Sequence, residues 1–298
     1  MADVKVAIIG GGLSGISTSY HLAAKGITEQ IVIEAGKMAK GTDDMISGTN
    51  SVILPNYSKM ITISYASDYE TFEKKNGKEN AKTYLSLSSA GCEMQKSIAK
   101  NLNPSIVREL GSLVVGHGQE FNTLKRDRDN YAKLGYNLEY LSRNDVSDIY
   151  RNKKKAFDGG FLIMQDAAIN IFEYVKLLSK EIEGKGVIIA ENTKAAEIVE
   201  YGDRVEIVTD KKEKITAENA VIATNGFYED KNLEGLFKKW WTFIACYENK
   251  GINTPNSWEI NDSYFYWTRQ DNILMVGGEE RVVKKGNTAG FIQASRKQ

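Results

Sequence analysis

VKVAIIGGGLSGISTSYHLAAKGITEQIVIE, running from Val4 to Glu34, is the stretch from which the rest of the chain is read. Val4 to Ile9 is a short apolar run with the β-branched content of a buried strand. Gly10, Gly12 and Gly15 follow in the spacing G-x-G-x-x-G. Leu13, Ile16, Tyr20 and Ala23 or Ala24 then recur on one face of a helix that Gly26 can stop. A second apolar run, Ile31 to Ile33, ends in Glu34 and Ala35.

Each part suits a dinucleotide. Gly10 permits the tight turn out of the strand, Gly12 lets the backbone approach a pyrophosphate, and Gly15 lets the helix pack near the strand. The N–H groups of Leu13, Ser14 and Gly15 open the helix, and its positive end favours a phosphate. Glu34 lies nineteen positions after Gly15. A carboxylate there accepts hydrogen bonds from ribose hydroxyls and repels a 2′-phosphate. The alternative is a glycine-rich turn of an ordinary α/β protein. A strand before the motif, a helix after it and an acid at this distance favour the dinucleotide.

The chain has 298 residues, enough for a full core and for two domains. Lys+Arg and Asp+Glu both number 39, and that balance gives no reason to expect nucleic acid or an anionic membrane as partner. No apolar run is long enough to span a bilayer, and the N-terminus lacks the pattern of a signal peptide. Cys92 and Cys246 make neither a disulfide framework nor a zinc site, and no metal-ligating spacing occurs. Two buried thiols in a reducing cytoplasm are expected.

After Glu34 the chain runs AGKMAKGTDDMISGTNSVILP, a polar loop that can line a cofactor or be a solvated connector. Residues 66–103 carry a helical pattern with a break near Asn76-Gly77, and residues 122–156 are charged and mostly helical. Gly111–Gly116 and Gly159–Met164 read as strands, and Ala168–Glu183 as an amphipathic helix. Val187–Glu191, Ala195–Glu200, Arg204–Thr209 and Ala220–Ala223 complete a second half for the sheet begun at the N-terminus, with a hairpin turn at Gly202-Asp203. His117, in a Gly-His-Gly turn, has no nucleophile or acid motif beside it and reads as a loop residue, while His21 reads as a packing residue.

The last quarter is aromatic. Trp240, Trp241, Phe243 and Tyr247 lie on one predicted strand, and Tyr264 to Trp267 on another that pairs with Ile273–Val276. Tyr264 and Tyr266 share one face, Phe265 and Trp267 the other. One face can wall a flat ligand, or both can be core.

Together these residues resemble the FAD-dependent D-amino-acid-oxidase-like family, which includes glycine, sarcosine and glutamylputrescine oxidases. VAIIGGGLSG with Glu34 is one match. Ser47-Gly48-Thr49-Asn50-Ser51 is similar to the family's S-G-R-N-G loop beside the flavin, with Thr49 in place of the usual Arg. GGFLIMQDAAINIFEYVKLL is similar to the segment that crosses between domains. In GVIIAENTKAAEI, Ala195 matches the position whose backbone contacts adenine. VIATNGF is similar to the strand that returns under the cofactor, which adds Ala223, Thr224, Asn225 and Gly226 to the expected FAD contacts. YFYWTRQDNILMVGGEER resembles a substrate-domain hairpin.

The resemblance implies an α/β fold of the GR2-type flavoproteins. A Rossmann-like FAD-binding domain from residues 1–105 and 160–228 is joined to a mainly antiparallel β substrate domain from 106–159 and 229–298. It implies FAD as cofactor and hydride removal from a carbon bearing an amine, on an amine or amino-acid substrate. No acid/base pair is assigned. Tyr266 is expected as an aromatic wall and Arg269 as a carboxylate-gripping guanidinium, with a surface turn as the alternative for Arg269. Family members continue with a second glycine-rich segment and a final helix facing the flavin ring, so the chain reads as truncated after Gly278. Weak or absent turnover, or a second subunit covering the ring in a homo-oligomer, is the expected consequence. Other readings stay open: a flavin dehydrogenase of 2-hydroxy acids or polyol phosphates, an FAD- or nucleotide-binding protein without redox turnover, and a nicotinamide-dependent dehydrogenase. The meander before VIATNGF and the loop after Glu34 fit the last of these less well.

Overall fold

The computed structural model describes residues 2–38, 60–63, 69–136, 138–151, 156–225, 240–249, 254–259, 265–270 and 273–282. The chain divides into two compact units, both discontinuous. Met1–Tyr57, Leu102–Ile106 and Asn170–Glu234 form one, and Ser58–Asn101, Val107–Ile169 and Gly235–Gln298 the other. The long helix Lys78–Leu102 and the strands Gly159–Ile163 and Ala167–Ile169 therefore fall in the second unit, except for Leu102. The sequence expectation set residues 58–101 and 160–169 in the first. The reason is pairing: Gly159–Ile163 is hydrogen-bonded on both sides within the second unit's sheet, which a linear reading does not reveal.

In the first unit a six-stranded sheet runs in the order Ala195–Glu200, Val205–Thr209, Lys214–Ile222, Ala2–Ile9, Gln30–Ile33, Ile188–Ala190. The last four strands are parallel, and the first three form an antiparallel meander. Ala2–Ile9 is central, with a parallel neighbour on each side. A strand covered on both faces needs apolar side chains throughout, which is why Val6 to Ile9 read as a continuous apolar run and are all buried. Helix Leu13–Ala24 buries Gly15, Ile16, Ser19 and Ala23 and packs against helix Ile171–Gly184. That second helix buries Ile171, Tyr174, Val175, Leu178 and Ile182, a helical period, and begins where the Asn170 side chain accepts the Glu173 N–H. Asn170 is a good cap, so the helix starts at Ile171 and the expected first residues, Ala168 and Ile169, are strand instead. Meander residues Ile207, Ile215 and Ala217 are in one apolar cluster with Val4, Ala7, Ile9, Ile31 and Ile33, and Ala190, Ala195 and Ile198 pack against it.

The second unit holds a seven-stranded sheet in the order Trp240–Glu248, Ile273–Val282, Tyr266–Gln270, Asn256–Glu259, Ser112–Gly116, Gly159–Ile163, Leu138–Ser142. All neighbours are antiparallel except Asn256–Glu259 with Ser112–Gly116. Leu138–Ser142 interrupts the residues expected to be mostly helical, between helices Gly118–Lys133 and Arg143–Tyr150. Its alternation is masked because Glu139 and Tyr140 are both exposed on this edge strand. A small three-stranded sheet joins Met60–Ile61, Ala167–Ile169 and Val107–Arg108. The helical pattern expected over 66–103 resolves into Tyr69–Asn76 and Lys78–Leu102, broken at Gly77, whose φ of +84° no continuous helix allows.

Candidate functional site

Parallel strands leave a crevice at their carboxyl ends, and there the first unit gathers its unusual residues. The strand Ala2–Ile9 ends in Gly10, with φ +111°, and the Gly10 N–H donates to Ile33 O at 2.8 Å. A Cβ on Gly10 would run into the carbonyl oxygen of Ala223 and lie 2.8 Å from its carbon. A Cβ on Gly15 would strike the carbonyl oxygen of Gly10. Only glycine serves at either position, because backbone already occupies the space. Gly12 is the N-cap of helix Leu13–Ala24, without a side-chain capping hydrogen bond and without an acid in the first turn. The first-turn N–H groups, including those of Leu13, Ser14 and Gly15, thus have no carboxylate of their own and offer donors and a positive end to an anion.

The other strand ends close around this turn. The Ala223 N–H donates to Ile9 O at 2.7 Å, which sets Ala223, Thr224 and Asn225 beside Gly10. Thr224 Oγ1 is buried without a hydrogen-bond partner among the described residues, an orphan that a bound polar group would satisfy. Asn225 has a left-handed φ of +53°, which Asn tolerates. Glu34 ends the neighbouring strand. Its Oε2 accepts the Gly11 N–H at 2.7 Å and its Oε1 accepts the Gly36 N–H at 2.8 Å. The carboxylate therefore ties two turns together, and each oxygen keeps a second lone pair for a hydroxyl. Ala35 is exposed beside it. Thr193 N–H donates to Glu34 O at 2.9 Å, and Ala195 follows two positions later, half-buried against the cluster that contains Ile31 and Ile33. The glycine cradle, the uncapped helix start, the acid and the orphaned hydroxyl fit a dinucleotide such as FAD. Ser47, Gly48, Thr49, Asn50 and Gly226 lie outside the described residues.

Sequence reasoning passed over Gly11, Met38 and Glu191. A Cβ on Gly11 would meet Met38 Sδ, with Met38 Cε at 2.9 Å and Glu34 Cβ at 3.0 Å. Glu191 Oε1 accepts the Met38 N–H at 2.7 Å, and Glu191 Oε2 pairs with Lys37 Nζ at 2.9 Å. The middle glycine of the run GGG was the one available signal, since Gly11 is an x position of the motif.

In the second unit Tyr266 and Arg269 are not brought together. They stand three positions apart on an unbroken strand, so they project from opposite faces. The Tyr266 ring lies across Gly277, and Thr268, on the same face, is fully buried. Thr268 Oγ1 donates to Asn256 Oδ1 at 2.6 Å, and Arg108 Nη2 reaches the same oxygen at 3.3 Å. The Arg269 face is the one Trp267 occupies, against Tyr150 and Phe157 at ring-centroid distances of 5.7 and 6.2 Å. Arg269 Nε is buried there without a partner among the described residues. His117 is half exposed between Glu120, at 3.1 Å, and Glu259, at 3.5 Å, and His21 sets its ring edge-on to Tyr20. Among the described residues no three His, Cys, Asp or Glu side chains could hold a metal, and no helix is long and apolar enough to cross a membrane.

A fold with parallel strands, a glycine cradle and a strand-end acid defines a dinucleotide-binding α/β protein. Residues 5–297 match the family described as FAD dependent oxidoreductase, and the chain belongs to that family. It is 26% identical over 242 residues to gamma-glutamylputrescine oxidoreductase of Escherichia coli strain K12, covering 78% of this chain and 52% of that protein. It is 25% identical over 237 residues to a putative Rieske 2Fe-2S iron-sulfur protein of Bacillus subtilis strain 168, covering 78% of this chain and 42% of that protein. The chain thus spans about half the length of the curated relatives it matches. Among solved structures, glycine oxidase from Geobacillus kaustophilus superposes with a TM-score of 0.71 at 16% identity, covering 97% of this chain and 75% of that one, a likeness of fold.

Proposed function

We propose that this protein binds FAD at the carboxyl ends of the first unit's parallel strands and oxidises an amine or amino acid by hydride removal. The observation that carries the reading is the glycine turn, where backbone fills the space a Cβ would take at Gly10 and Gly15 and the helix start carries no cap of its own. FAD, when bound, supplies the hydride acceptor at flavin N5. The chain's residues do the rest. The helix start at Gly12 to Gly15 would hold the pyrophosphate, and Thr224 Oγ1 would be available as a further donor. Glu34 would accept the ribose hydroxyls through its remaining lone pairs, and the backbone near Ala195 would meet the adenine. The first unit is therefore the FAD domain and the second the substrate domain.

The amine or amino-acid substrate class rests on the resemblance to the E. coli relative, whose name gives glutamylputrescine as its substrate. A neutral amine needs no strong base for hydride removal, in keeping with a site where no acid/base pair is assigned. On the substrate side Tyr266 is kept as the aromatic wall, and Arg269, on the opposite face of the same strand, does not share a pocket with it. With free cysteines and no membrane-spanning helix among the described residues, a reducing cytoplasm is the compartment proposed.

The test is the visible spectrum of the purified protein, the identity of its heat-released cofactor, and turnover with a panel of amines, amino acids and 2-hydroxy acids. Flavin bands, released FAD and turnover restricted to amines or amino acids are expected. A colourless protein that takes up no FAD, or released FMN, sinks the cofactor assignment, and turnover of 2-hydroxy acids alone sinks the substrate class.

A further inference from the structure

We propose that Glu191 is a positioning residue for the adenosine half of the cofactor, acting through the turn at Gly36 to Met38. The proposal rests on the FAD reading above. The end of strand Ile188–Ala190 and the end of strand Gln30–Ile33 run side by side, and their following turns are laced together. The Glu34 N–H donates to Ala190 O at 2.9 Å, the Thr193 N–H to Glu34 O at 2.9 Å and the Asn192 N–H to Gly36 O at 2.8 Å. Asn192 takes a left-handed φ of +51°, which re-aims the backbone so that its own N–H and the next one reach across. These backbone bonds reach only as far as Gly36. Beyond it the tie is a side chain: Glu191 Oε1 accepts the Met38 N–H at 2.7 Å while Oε2 meets Lys37 Nζ at 2.9 Å.

The consequence falls on the glycine turn. Met38 held in this place sets its thioether against Gly11, in the volume where any other residue would have a Cβ. On the other side the Gly11 N–H is held by Glu34 Oε2. Gly11 is thus clamped between Met38 and Glu34, and Glu34 in turn is oriented by the Gly36 N–H. Releasing Met38 frees the 36–38 turn, loosens both sides of the clamp and blurs the direction in which Glu34 presents its remaining lone pairs. The Lys37 pair contributes little, because its side chain is 50% exposed. The charge-assisted bond to the Met38 N–H is the effective element.

The experiment measures the dissociation constants of FAD and of ADP, which carries adenine, ribose and pyrophosphate but no flavin, for the full-length apoprotein and its variants. Glu191→Ala is expected to weaken both ligands by about tenfold or more. Glu191→Gln keeps an oxygen for the Met38 N–H and is expected to recover all but about threefold of that loss. Lys37→Ala is expected to cost less than Glu191→Ala, and the thermal midpoint of each apoprotein is read alongside. Glu191→Ala binding ADP as the wild type does would overturn the proposal. So would an equal loss in Glu191→Gln or in Lys37→Ala, since the side-chain acceptor for the Met38 N–H would then not be what matters. If Glu191→Ala does not fold, Met38→Ala carries the same expectation for ADP, and wild-type affinity in that variant overturns it. A wild-type apoprotein that binds neither ligand would instead remove the FAD reading, a result distinct from any variant's.

Discussion

Among the described residues Asp166 is the carboxylate whose environment most opposes its charge, and replacing it with Asn should stabilise the protein. It is fully buried in the turn between strands Gly159–Ile163 and Ala167–Ile169, where Oδ1 accepts the Ile63 N–H at 2.9 Å. Burial raises its pKa from 3.8 to about 6, against the Ile63 N–H, the neighbouring Thr62 hydroxyl and the Lys96 charge, which favour the anion, while Oδ2 has no hydrogen-bond partner among the described residues. The Cys92 thiol also feels this carboxylate. A rise of about two units is worth about 3 kcal/mol. The folded pKa lies above the unfolded one, so between about pH 4 and about pH 6 the native state holds more protons than the unfolded chain. Stability from this group is therefore greatest below that window, falls as pH rises through it, and stays low above it. Asn cannot ionise, and its amide oxygen still accepts the Ile63 N–H, while the hydroxyls around the other position can accept as well as donate. Urea unfolding of apoprotein and variant across this range should show Asp166→Asn more stable by up to about 3 kcal/mol at about pH 8, with the advantage vanishing near pH 4. A variant less stable than the wild type at the alkaline end, or a difference independent of pH, would refute the reasoning.

Three further outcomes are expected. Glu34→Ala should weaken FAD by about 1–3 kcal/mol, since it removes the proposed ribose acceptor and leaves the Gly11 and Gly36 N–H groups without theirs; an unchanged dissociation constant would count against the site. Gly15→Ala puts a methyl into the Gly10 carbonyl, with Ile8 Cγ2 also at 3.3 Å, and should cost about 1–3 kcal/mol in stability together with most FAD retention; a variant that purifies with full flavin content would contradict the close packing. The Cys92 thiol, pushed up to about 12 by burial, should be inert to Ellman's reagent in the native protein at mildly alkaline pH and react only on unfolding, whereas two fast thiols would show it accessible.

The glycine turn was legible because its physics is local. A turn that needs φ +111° at Gly10, a helix that needs Gly15 against the Gly10 carbonyl, and an acid at the end of the next strand all lie within one strand–helix–strand unit. The order of short apolar runs likewise announced the parallel strands, since burial on both faces demands them. Contacts between distant parts of the chain were not legible. Met38 meets Glu191 across 153 positions, and only the pairing of two parallel strands makes them neighbours. Tyr266 and Arg269 were each expected to meet the substrate; alternation on a strand sends them to opposite faces, and only the packing of Trp267 on Tyr150 and Phe157 identifies which face Arg269 joins. Asp166 is an ordinary turn residue by composition, and its shifted pKa exists because the second unit closes over it. Motif and period are properties of neighbouring residues and survive in the sequence; burial, facing and charge environment are properties of the folded surroundings and come into being with them.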